Sequence, residues 1–82
     1  MHRIALIMLL LAAGPAWADD AAMCTTRQAE LSKQAASFHG DTITQRLIEA
    51  DLKRALKELG EGDPDECLEA LDHAAMLLAG GG

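Results

Sequence analysis

The sequence predicts an all-α fold, a small up-down-up three-helix bundle closed by one disulfide and preceded by a cleaved signal peptide. Three observations predict it. An apolar run near the start ends in a helix-breaking pair, the rest of the chain is punctuated by Gly and capping residues, and between these marks apolar residues recur at three- and four-residue spacing. Only two cysteines are present, Cys24 and Cys67.

His2 and Arg3 give a short basic start, and "IALIMLLLAA" an apolar core, before Gly14 and Pro15. Ala16-Trp17-Ala18 places small residues where a signal peptidase reads them, so residues 1–18 are expected to be removed. An uncleaved membrane anchor is the alternative, but the apolar run is shorter than the roughly 20 residues that cross a bilayer. A lipoprotein is excluded because Met23 precedes Cys24 and two aspartates interrupt the apolar lead-in. The expected domain is therefore 19–79, with a flexible glycine tail at 80–82.

The first helix is expected over about 21–38, ending at His39-Gly40 with Gly40 in the left-handed conformation that follows many helices. Its start is open between Asp20 and Thr25. The second is expected over 42–59, opening at Asp41 or Thr42, where "TITQ" has capping-box form, and stopping at Gly60. The third is expected over 64–79: Asp63 stands at the N-cap, Pro64 at the first helical position and Glu66 two residues later, able to reach back.

Apolar stripes say how these helices meet. The third helix carries Cys67, Leu71, Ala74 and Leu78, flanked by Leu68 and Ala75; the second carries Ile48, Leu52, Ala55, Leu56 and Leu59. The first has a thinner stripe of Cys24, Gln28, Leu31, Ala35 and Phe38. In an up-down-up bundle the first and third helices run parallel, so Cys24 and Cys67, both near helix starts, come to the same end and are expected to bond. A staple suits a mature domain of 64 residues (82 less 18), which is small for a self-sufficient core.

Composition narrows the function. The mature chain has six Lys and Arg, the seven of the whole chain less Arg3, against thirteen Asp and Glu, a net charge of −7. That repels nucleic acid and anionic membranes, and with Trp17 removed Phe38 is the sole aromatic, so no stacking platform exists. No nucleic-acid partner and no stable membrane insertion after cleavage are expected. No phosphate loop, nucleophile elbow or thioredoxin-like pair of closely spaced cysteines occurs, and Ser32, Ser37 and His39 lack an orienting acid, so neither catalysis nor a cofactor is expected.

"GDPDECLEALDH" concentrates carboxylates at the start of the third helix, with Lys53, Arg54 and Lys57 expected nearby on the second. "DPDE" begins like a calcium loop, but Leu68 and Ala74 stand where that loop needs Gly and Glu. Zinc would draw on His39, His73 and the cysteines, whose spacing does not suit it. Helix capping and solvated ion pairs explain the acids, His73 reads as a surface residue beside Asp72, and no metal site is expected.

Two function classes remain. One is a secreted or periplasmic protein, from a Gram-negative bacterium by composition, that acts by protein–protein interaction as adaptor, small subunit, inhibitor or stress-protective binder. The other binds divalent metal or small cationic ligands through its acidic surface. For the first, the candidate patch is Phe38, Ile43, Leu47, Met76 and Leu77, expected to gather at the pole opposite the disulfide. It would either close the open end of the core or meet a partner, whether a different protein or a second copy.

Overall fold

The computed structural model describes residues 16–80, with side-chain surroundings from Asp19 onward. Three helices follow in order: α1 (Ala16–Ala36), α2 (Thr42–Gly60) and α3 (Pro64–Gly80). They form the expected bundle, with no strand among the described residues. Each helix packs on the other two, α2 on α3 most extensively. In no described helix is the chain long and apolar enough to cross a membrane.

Two cross-links fix the direction of α1 against α3. The Cys24–Cys67 disulfide spans a Cα separation of 6.2 Å, and further along both helices, three residues on α1 and five on α3, Arg27 donates to Asp72 at 2.6 Å. Steps in the same sense from one cross-link to the next require parallel helices. Against α2, α3 runs the other way, so that His73 meets Asp51.

Helix ends differ from the sequence expectation in ways that local hydrogen bonding explains. Among the described residues α1 already runs from Ala16, ahead of both starts considered, and through the expected cleavage point after Ala18; residues 1–15 of the proposed signal peptide lie outside the described residues. Cys24 consequently sits at least two turns into α1 rather than in its first turn. The helix closes at Ala36, two residues early, where the Ser37 and Phe38 N–H groups bond to the Gln34 and Ala35 carbonyls in a tightened last turn. Gly40 does not adopt positive φ; Gly62 does, at +86°.

That glycine ends α2. Asp63 N–H donates to Glu58 C=O and Gly62 N–H to Leu59 C=O, the paired bonds of a Schellman motif with Gly62 at its left-handed position. Gly60, expected as the stop, is instead the last helical residue. At the other end of α2 Asp41 is the cap: its carboxylate accepts from the Thr44 N–H at 2.9 Å and from the Thr44 hydroxyl at 2.7 Å. The third helical residue is thus Thr44, and Gln45 bonds through its backbone to Asp41. α3 starts at Pro64, whose ring is buried, and its first ladder bond runs from Cys67 N–H to Asp63 C=O.

The core consists of Cys24 and Leu31 from α1, Ile48, Leu52 and Ala55 from α2, and Cys67, Ala70, Leu71 and Ala74 from α3. Five of the nine are Cys or Ala, so the helices approach closely around a few larger side chains, of which Ile48 and Leu71 are fully enclosed. Ala70 was not on the expected stripe, yet it is buried because α3 is covered by two helices rather than one. Leu56 was on the expected stripe and is 53 % exposed; on α2 it lies four residues from Leu52 at the edge of an arc centred on Ile48, Leu52 and Ala55. No buried side-chain polar atom among the described residues lacks a partner.

Candidate functional site

The five expected patch residues divide. Phe38 and Leu77 are partly buried against the core, whereas Ile43, Leu47 and Met76 are 73, 48 and 70 % exposed. Phe38, sitting just past α1, turns back onto the bundle and with Leu77 covers its end. The three exposed members have no such task.

Their placement follows from helix geometry. Ile43, Leu47, Ala50 and Arg54 recur at four-three-four spacing and form one row along α2. Glu69, His73 and Met76 form the corresponding row on α3, four and three residues apart. Because the helices are antiparallel and Asp51 meets His73, a step of one turn toward the start of α2 reaches Leu47, and a step toward the end of α3 reaches Met76 and Leu77.

Between the rows lies an open groove of about 590 Å³. α2 contributes Ala50, Asp51 and Arg54 to its walls, and α3 contributes Glu69, Asp72, His73 and Met76. The groove is a surface channel between two helix faces, not an enclosed cavity. It is apolar where Ala50 and Met76 meet and charged toward Glu69.

The charged part is organised by pairs. Asp51, 13 % exposed, contacts the ring Nδ1 of His73 and lies 4.0 Å from the Arg54 guanidinium. His73 was read as a solvated neighbour of Asp72, but its contact is across the helix interface. Asp72 in turn is held by Arg27 of α1 and not by the basic residues of α2. Lys53 and Lys57 form no ion pair among the described residues and Arg54 pairs with Asp51 of its own helix, so the expected ion pairs between the end of α2 and the α3 acids do not form.

The excess negative charge registers on Glu66. Repulsion from Glu69 first, then burial, Asp65 and Glu58, raise its pKa above the ordinary glutamate value, against the pull of Arg54. Asp41 shows the opposite shift, lowered by the Thr44 backbone N–H and then the Thr44 hydroxyl that it accepts from.

Chemically the groove offers an imidazole positioned by a carboxylate, but no Ser, Thr, Cys or Lys lines it, so the pair has no nucleophile to activate. Both cysteines are joined and supply no thiolate. One acidic group was missed in the sequence: Glu58, Glu61 and Asp63 bring carboxylate oxygens within 4.8 Å of one another around the Gly62 turn. Glu58 and Glu61 are one helical turn apart, but Asp63, five residues from Glu58, joins them only through the reversal at Gly62. Comparison with protein-family models, curated proteins and solved structures finds no match for this chain.

Proposed function

We propose that this chain is a small secreted or periplasmic helical protein that works without catalysis, by binding another protein through the face of α2 and α3. The observation that supports this reading is the exposure of Ile43, Leu47 and Met76 on a bundle whose core is already filled by other residues. Apolar side chains of this size grouped beside a groove are costly to leave in water unless something covers them, and Met adapts to varied partner surfaces. An adaptor, small subunit, inhibitor or stress-protective binder would use such a face. The disulfide is compatible with an oxidising compartment, and the secretory start of the sequence agrees with it.

The double substitution Leu47→Lys, Met76→Lys tests the reading. The variant is expected to melt within a few degrees of the wild type and to lose the association that sedimentation and cross-linking detect in the native compartment. A fall of several kcal/mol in stability would make these residues part of the core and remove the interaction surface. For the alternative, an acidic binder of divalent metal, calcium and zinc titrations are decisive. A metal at 100 times its Kd would add about 2.7 kcal/mol, and the expected change in melting temperature is close to zero.

A further inference from the structure

We propose that the groove between α2 and α3 is the docking site for a basic amphipathic helix of a partner protein, with the partner's apolar residues on Ile43, Leu47, Ala50 and Met76 and its Lys or Arg residues toward Glu69. The proposal rests on the reading of the chain as an interaction protein and specifies what it binds.

The shape selects a helix. The described residues contain no sheet edge to which a strand could add, whereas two facing rows at four-three spacing make a channel of the kind that takes side chains at i, i+3, i+4 and i+7. The row from Ile43 to Arg54 covers about three helical turns, roughly 16 Å at 1.5 Å per residue. That length seats an apolar stripe of three turns.

Charge selects the sign. Along the groove Asp51, Glu69 and Asp72 oppose Arg54, with His73 between them. Arg54 is drawn to Asp51 and Arg27 to Asp72, and among the described residues no ion pair engages Glu69, so its charge is the one presented outward. The repulsion that Glu69 exerts on Glu66 is the same surplus seen from the neighbouring turn. A second copy of this chain would bring its own net charge of −6 to the contact, and an anionic membrane would repel the groove in the same way. A cationic helix gains from the field that disfavours both.

The test uses the oxidised full domain and two synthetic helical peptides of about 18 residues, five turns. They share a Leu stripe and differ in carrying Lys or Glu on its flanks. Binding is followed by calorimetry and by chemical-shift changes at Ala50, His73 and Met76. The expected result is saturable binding of the Lys peptide and at least tenfold weaker binding of the Glu peptide. Leu47→Lys with Met76→Lys should weaken the Lys peptide by tenfold or more, and Glu69→Lys by about fivefold, the scale of one exposed charge. Equal binding of both peptides, lost in the Leu47/Met76 variant, would overturn the basic-partner assignment while leaving an interaction surface in place. Lys-peptide binding that survives the Leu47/Met76 variant would reduce it to diffuse attraction by an acidic protein and overturn the docking site. Failure of both peptides to bind, together with a dimer dissociated by Met76→Lys, would assign the face to a second copy.

Discussion

Removing the disulfide should cost this protein much of its stability, and the size of the loss follows from where α1 is attached. α1 contributes only Cys24 and Leu31 to the buried core, with Ala35 packed against it from the side. Cys24 and Cys67 are 43 residues apart in sequence, and closing a loop of that length restricts the unfolded chain by about 4 kcal/mol on the chain-entropy estimate. In a domain this small, 1 kcal/mol shifts the melting temperature by about 4–8 °C, so the bond should be worth about 15–30 °C. The assay is helical circular dichroism followed through thermal unfolding for the oxidised protein, the reduced protein and Cys24→Ala/Cys67→Ala. Alanine is preferred to serine because a hydroxyl at these fully buried positions adds its own penalty. The reduced protein keeps both sulfur atoms in place, so its difference from the alanine variant isolates the packing contribution. Oxidised and reduced forms that melt within about 5 °C of each other would refute the reasoning and show that packing alone holds α1.

Four further outcomes follow from single positions. Gly62→Ala should lower stability by about 1 kcal/mol, because φ is +86° there, whereas Gly60→Ala, helical and facing open space, should raise it by a similar amount; equal effects would contradict the Schellman assignment. Asp41→Ala should lower the melting temperature at neutral pH and Asp41→Asn much less, as both Asp and Asn cap well. Since the folded pKa of Asp41 is lowered, its contribution is present above the unfolded value and fades as pH falls through the folded one, so a pH titration of the melting temperature should lose that acid limb in the Asn variant. Glu66 has the reverse sign: its raised folded pKa makes folding favour the protonated form, a gain present below the unfolded pKa and lost as pH rises through the folded one, so Glu66→Gln should stabilise at neutral pH and change little at pH about 3. Asp72→Asn should cost about 0.2–1 kcal/mol, the range for an exposed ion pair, and molar salt should shrink the difference between the two proteins.

Fold class, helix order and the cysteine pairing were legible because each is carried by a periodic or paired signal: the stripes through Leu52 and Leu71, the cap at Asp41, two cysteines and no third. Helix ends were read less well. A glycine marks that a helix stops nearby but not which residue takes positive φ, and the choice among Gly40, Gly60 and Gly62 is made by the bonds that Asp63 and Gly62 form to Glu58 and Leu59. The candidate surface was half legible. Ile43, Leu47 and Met76 lay off the main stripes and are exposed, but Phe38 and Leu77 were assigned to the same group although they cover the core. Stripe position alone does not report how far a neighbouring helix reaches around. The contact of Asp51 with His73 was invisible for a related reason: it depends on the axial register of α2 against α3, which neither helix's own sequence states.

The parallel placement of α1 and α3 also constrains how the molecule comes into being. In the folded arrangement Cys24 has its partner beside it only because α2 turns back and α3 returns along α1, so the native placement of the two thiols requires all three helices. As a chain grows or is threaded from its N-terminus, Cys24 is the first thiol to appear and waits through 43 residues for the second. With no other cysteine in the chain it has no wrong partner within its own molecule. The error open to it is with another molecule, a covalent dimer whose yield rises with concentration. Assembly is thereby free of disulfide scrambling and exposed to crowding instead, and dilution rather than an isomerase is the condition that favours the monomer.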